Sequence, residues 1–193
     1  MAFRRNHEKP ANRARPMILK LKRTPGLYLV GFMGCGKTTI GRLLASRIGW
    51  HFSDLDHDIE NAHGGTVQQI FADHGEAHFR QLEHMALKRR VNDVERGKPC
   101  VIALGGGTFV RPDNYALLEN NGVTLWLDAP FELIRRRVAA DGTRPLAADP
   151  QKFRELFDSR RTGYEKADHR VPIESEDPEV TIDYIVALQL FGK

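Results

Sequence analysis

The stretch "VGFMGCGKTTIG", residues 30–41, decides how this chain is read. Gly31, Gly36, Lys37 and Thr38 fit the spacing G-x-x-x-x-G-K-[ST], a loop whose glycines let backbone N–H groups turn inward on a phosphate. The context this pattern requires is present on both sides. The apolar run "LYLVG" (27–31) predicts a strand before the loop, and Ile40, Leu43, Leu44 and Ile48 form a helical stripe after it, which should stop at Gly49 in a left-handed cap. That helix aims its positive N-terminal end at the loop. In such a loop Lys37 reaches the β- and γ-oxygens of a nucleotide, and the Thr38 hydroxyl ligates Mg²⁺. Cys35 lies beside the helix end, where a thiol's pKa can fall, or is simply a small inert filler.

Outward from the loop, short apolar runs alternate with helical patterns, the mark of an α/β fold with a parallel sheet and helices on both faces. The runs "HFSDLD" (51–56), "CVIALGGG" (100–107), "VTLWLD" (123–128) and "HRVPI" (169–173) give four more strands. Helices are expected near 76–96, 113–120, 130–139, 150–168 and 178–190. Asp149 and Pro150 supply an N-cap and a proline at the first helical position for the fourth of these.

A chain of 193 residues suits one domain, read here as 26–193. No apolar run approaches the roughly 18 residues of a membrane span, and no secretory signal opens the chain, so a cytoplasmic protein is expected. Cys35 and Cys100 match no metal or redox spacing. The net charge of +4 is unevenly placed. Residues 1–25 carry eight bases and one acid, leaving 21 bases against 24 acids in the remainder. A slightly acidic body is a poor polyanion binder, so nucleic acid is not an expected partner. The basic stretch reads as a disordered extension, as leader sequence before a true start at Met17, or as a targeting or nucleic-acid arm.

Where the phosphate goes must be read from other residues. "SDLDHDIE" places Asp54, Asp56, Asp58 and Glu60 within seven residues at the carboxyl edge of the sheet, where ligands of open α/β sheets bind. If Asp54 and Asp56 are both extended, they share a side. One could then approach the metal through water while the other takes a proton from an acceptor hydroxyl. Alternatively these acids only cap and start the next helix, the better reading for Asp58 and Glu60. Arg80 has Glu76 at i−4 and Glu83 at i+3, the pattern of a surface salt-bridge ladder. Arg160 falls on the stripe of Phe153, Leu156, Phe157 and Tyr164, where a charge is costly unless an anion of the protein or of a ligand meets it. Gly105, Gly106 and Gly107 strip side chains from the sheet edge, either for a close approach or for a positive φ. "RRRVAADGTRPLAADPQ" has the composition of a mobile flap, with Arg144 as its cation.

Taken together, "GFMGCGKTT", "DLDHDIE", "IFADHGEAHFRQLE", "LGGGTFV", "TRPL" and a late "RRTGY" resemble the shikimate kinase family, in family order, over about residues 27–164. The resemblance implies a P-loop three-layer α/β/α fold with a central five-stranded parallel sheet and a mobile lid at about 141–150. It implies transfer of the γ-phosphate of ATP to the 3-hydroxyl of shikimate, with Mg²⁺, by a monomer. By position, Gly34, Cys35, Gly36, Lys37, Thr38 and Thr39 would hold the phosphates, with Thr38 and Asp54 at the metal. Asp56 would be the base, while Arg80, Arg160 and the backbone of residues 105–107 would bind shikimate. Arg144 would close onto the phosphates, and Arg137 would lie near the adenine. The chain departs from the family in "RPLA" and in the doublet Arg160–Arg161, and Ser175, Glu176 and Asp177 offer no recognisable adenine contact. Rival readings are another small-molecule kinase, such as a gluconate kinase, and a non-catalytic nucleotide-binding module.

Overall fold

Five short strands build the centre of the molecule. A computed structural model describes residues 26–119, 121–141, 149–188 and 190. The basic stretch 1–25 and most of the expected lid, Arg144 included, lie outside the described residues. In chain order the elements are β1 (Gly26–Val30), α1 (Lys37–Ile48), β2 (His51–Asp54), α2 (Leu55–His63), α3 (Val67–Glu95), β3 (Cys100–Ala103), α4 (Pro112–Leu118), β4 (Val123–Asp128), α5 (Phe131–Asp141), α6 (Pro150–Tyr164), β5 (His169–Pro172) and α7 (Pro178–Ala187).

All pairings are parallel, in the order β2-β3-β1-β4-β5. Every residue of β1, β3 and β4 is buried, as expected of strands covered on both faces. The α1 stripe packs on this sheet through Ile40 and Leu44, and Gly49 caps the helix at φ 71°, as the sequence predicts. Asp149 caps α6 with its side chain, followed by Pro150. Central β1 has β3 on one side and β4 on the other, so chain order reverses there. The β1 loop, the end of β2 and the glycines after β3 therefore meet at one carboxyl edge.

Three expectations need correction. The second strand ends at Asp54, not residue 56, because Asp54 accepts a hydrogen bond from the Asp56 N–H at 3.1 Å and starts α2. Asp56 is therefore helical, and the two carboxylates are not strand neighbours. The long helix begins at Val67 rather than near 76, held by a reciprocal capping box between Thr66 and Gln69. Gly75 interrupts α3 with φ 77° and ψ 174°. The strand expected over 100–107 stops at Ala103.

Candidate active site

The β1–α1 loop owes its shape to glycine. Gly31, Gly34 and Gly36 all have left-handed φ values, and a Cβ on Gly31 would meet the Leu127 carbonyl at 2.8 Å. Cys35 is fully buried beneath the loop, the inert reading of that residue. Lys37 folds back onto the loop, its Nζ donating to the carbonyls of Gly31 and Phe32 at 2.9 Å each. A cavity of about 480 Å³ opens above, bordered by Gly34, Gly36, Lys37, Thr38, Thr39, Asp54, Asp56 and Arg137. Arg137 leans over the loop, 3.4 Å from the carbonyls of Gly34 and Cys35. At its far end the same cavity is bordered by Ile173, Ser175, Glu176, Pro178 and Thr181, residues the sequence left without a role.

On the floor of this cavity the Thr38 hydroxyl donates to Asp54 Oδ2 at 2.6 Å. Asp54 thus both caps α2 and turns its other oxygen to the loop, so the capping and metal readings are compatible. A hydroxyl and a carboxylate are hard oxygen donors of the kind that suits Mg²⁺. Asp58 and Glu60 are not merely first-turn acids. Asp58 binds the Arg90 fork and the Ser53 hydroxyl, and Glu60 accepts from the Val67 N–H at the start of α3.

The second half of the site lies across Asp56. Arg80, Gly107 and Arg160 border a groove of about 1000 Å³ next to the loop cavity. Arg80 does form the expected pairs with Glu76 and Glu83, 3.0 Å each, yet Glu83 is only 1% exposed and also accepts from the Thr108 hydroxyl at 2.6 Å. A buried carboxylate with two donors is an anchor rather than a surface ladder. It fixes the guanidinium against Gly107, where a Cβ would come within 3.0 Å of Nη1. Glu83, Thr108 and Tyr164 are supporting residues that sequence reasoning missed. Tyr164 donates its hydroxyl to the Gly106 carbonyl, a contact between segments that no local pattern announces.

The glycine run is explained by close approach and not by positive φ. None of Gly105, Gly106 or Gly107 has left-handed φ, but a Cβ on Gly105 would meet Thr108, Glu83 and Asp56 within 3.0 Å, and one on Gly106 would meet Arg160 at 3.2 Å. Arg160 itself lies over the Phe32 ring at 5.5 Å. Among the described residues it has no carboxylate partner, whereas Arg161 is bound to Asp128. Burial, then the neighbouring Asp54 carboxylate, push the Asp56 pKa from 3.8 up to about 6, against the pull of Lys37. Two cations bordering one groove, and a carboxylate of raised basicity bordering the phosphate-loop cavity, suit phosphoryl transfer to the hydroxyl of a carboxylic acid.

Comparison with known proteins gives the same reading. The profile of the family described as "Shikimate kinase" matches residues 33–189. A shikimate kinase of Synechococcus elongatus is 44% identical over 164 residues, covering 83% of this chain and 84% of that protein. One of Persephonella marina is 38% identical over 161 residues, covering 83% and 96%. The solved structure of shikimate kinase from Acinetobacter baumannii in complex with shikimate superposes with a TM-score of 0.80 at 34% identity, covering 90% of this chain and 97% of that one. A sugar kinase from Janibacter, 17% identical with a TM-score of 0.54, shares the fold alone. With a family profile spanning the loop, the sheet edge and both arginines, the chain belongs to the shikimate kinase family.

Proposed function

We propose that the chain transfers the γ-phosphoryl group of ATP to the 3-hydroxyl of shikimate, and that its residues divide the work as follows. Backbone N–H groups of residues 34–39 and the Lys37 ammonium hold the nucleotide's phosphates, Lys37 leaving the two loop carbonyls for the β- and γ-oxygens. Thr38 and Asp54 would hold Mg²⁺, which would supply charge neutralisation at the phosphates. Arg80 and Arg160 grip the shikimate carboxylate, with Gly105, Gly106 and Gly107 giving the ring access to backbone. Asp56 then accepts the 3-hydroxyl proton as the new O–P bond forms and the γ-phosphorus–oxygen bond breaks, leaving ADP. Arg137 covers the nucleotide from the loop side, and Arg144 closes from a lid at about 141–150, excluding water that would compete for the phosphoryl group.

The observation that carries this reading is the position of Asp56, which borders the loop cavity while its Oδ1 stands 3.0 Å from the Cβ position of Gly105. Its carboxylate thus sits between nucleotide and acceptor. We take the monomer as the acting unit. No described helix is long and apolar enough to cross a membrane, and we place the reaction in the cytoplasm. The test is ADP release from Mg·ATP with shikimate, gluconate, AMP or no acceptor. Stimulation by shikimate alone supports the assignment. Preference for gluconate would replace the acceptor, and equal turnover without any acceptor would turn the reading to a nucleotide hydrolase or switch.

A further inference from the structure

The turn that carries the glycine run leaves one peptide unit undetermined by its own residues. The Thr108 N–H donates to the Gly105 carbonyl at 3.1 Å, closing a four-residue turn with Gly106 and Gly107 at its centre. The central peptide, made of the Gly106 carbonyl and the Gly107 N–H, takes no part in that closing bond. Turns of types I and II differ by a flip of this unit, and type II asks for a positive φ at the third residue. Glycine meets that demand at no steric cost, so a turn with glycine at position 107 is free to adopt either form. Gly107 does not have a positive φ here, which is the type I condition.

What selects that form lies on α6. Tyr164, 2% exposed, donates its hydroxyl to the Gly106 carbonyl. Burial raises the Tyr164 pKa well above the ordinary phenol value, against a downward pull from Arg160, so the hydroxyl keeps the proton it donates. The helix comes very close to the loop at this point. A Cβ on Gly163 would stand 2.5 Å from Val110 Cγ1, so the last turn of α6 reaches the loop only because glycine precedes Tyr164. The Tyr164 ring is held from behind by Trp126, with centroids 6.1 Å apart. Arg160, four residues earlier and so on the same helix face, places Nη1 3.2 Å from the Cβ position of Gly106.

The carbonyl and N–H of a trans peptide point in opposite directions, so holding the Gly106 carbonyl toward Tyr164 turns the Gly107 N–H away from it. Gly107 is buried and borders the acceptor groove, and its N–H has no acceptor among the described residues. A buried donor of this kind is costly unless a ligand meets it. We infer that Tyr164 is a positioning residue: by fixing the Gly106–Gly107 peptide it presents the Gly107 N–H to the carboxylate that Arg80 and Arg160 hold. This role rests on the acceptor site proposed above and adds to it a backbone donor and the side chain that aims it. A flipped peptide would turn the negative end of the Gly106 carbonyl toward the same anion and oppose its binding.

The experiment compares the full chain with Y164F, which keeps the ring and loses only the hydroxyl, by steady-state kinetics and by ¹⁵N relaxation dispersion on glycine-labelled protein, with the Gly107 resonance assigned through G107A. Y164F should raise the KM for shikimate about tenfold, the scale of one hydrogen bond, with kcat and the KM for ATP within about twofold of wild type. The Gly107 amide should be quiet in wild type, show microsecond-to-millisecond exchange in Y164F, and fall quiet again when shikimate saturates the site. The wild-type amide, which depends on no variant folding, should move downfield on adding shikimate, as an N–H does on meeting a carboxylate. An unchanged KM for shikimate in Y164F, equal rises in both KM values, a Gly107 amide equally still in both proteins, or a wild-type amide that ignores shikimate would each overturn the role of Tyr164 while leaving the acceptor in place. A wild type whose turnover shikimate does not stimulate would overturn the acceptor assignment and this role with it.

Discussion

Arg161 donates from Nη1 to Asp128 Oδ1 at 2.9 Å and from Nη2 to Oδ2 at 3.2 Å, so the second arginine of the α6 doublet is committed to a carboxylate that is 8% exposed. Arg160, one residue earlier, turns to Phe32 and the groove. The two should therefore fail differently. R160A should raise the KM for shikimate by one to two orders of magnitude, the equivalent of about 1.5–3 kcal/mol for a charged hydrogen-bonded contact, with the KM for ATP and the melting temperature unchanged. R161A leaves Asp128 with Arg170 alone and should lower stability by about 1–2 kcal/mol while sparing the KM for shikimate. Steady-state kinetics beside a thermal melt would read both, and the reverse pattern would exchange their roles.

Asp54 has two duties, and they can be separated by substitution. Its side chain caps α2 at the Asp56 N–H and accepts the Thr38 hydroxyl. D54A should lose about 1 kcal/mol of stability with the cap and also need more Mg²⁺ for half-maximal rate. D54N keeps a capping oxygen, so it should melt near wild type yet show the same raised Mg²⁺ requirement. If D54N titrated with Mg²⁺ like wild type, Asp54 would be a cap only.

What the sequence disclosed follows from how local each signal is. The loop, α1 and the strand order of types were legible because glycine spacing, a 3.6-residue stripe and fully apolar runs are written in consecutive residues. α2 was legible only as the helix that the acids of 54–60 cap and start, because those four acids mask the buried pair Leu55 and Ile59. Thr66 and Gln69 carry the capping-box signal for the start of α3, ahead of the start expected near 76. Glu83 could not have been told from a surface acid, since its burial depends on Thr108 arriving from 25 residues away. The stripe favours Arg160 over Arg161 in the sequence, and Asp128 at the end of β4 supplies the physical reason by pairing with Arg161.

The glycines after β3 should differ in what they tolerate. The atoms nearest a Cβ on Gly107 are at the end of the Arg80 side chain, Nη1 at 3.0 Å and Nη2 at 3.1 Å. G107A should shift that guanidinium and raise the KM for shikimate several-fold with little loss of stability. A Cβ on Gly105 meets Thr108 at 2.8 Å, Glu83 at 2.9 Å and Asp56 at 3.0 Å, and the first two are locked to each other. G105A should cost about 1–3 kcal/mol of stability as an overpacked site, seen as a fall in melting temperature together with lost activity.

Asp56 should show a trade between activity and stability whose sign is set by its titration. In the free chain its pKa is raised from 3.8 to about 6, by burial first and by Asp54 second. Between those two values the folded chain holds a proton that the unfolded chain has released, so this group's contribution to stability declines as pH rises through the window. Below about pH 4 both states are protonated and no penalty exists; above about pH 6 it is present in full. D56N removes the charge and with it the penalty. Without metal or nucleotide it should melt a few degrees above wild type at pH 7.5, about 1–2 kcal/mol after allowing for solvent around a half-buried carboxylate, and the gain should vanish near pH 4. The same variant should lose about 10²–10⁴ in kcat, because the acceptor hydroxyl has lost its base. A D56N protein that is inactive but no more stable at pH 7.5 would mean that the ionised carboxylate is compensated in the free chain. An active one would remove Asp56 from proton transfer.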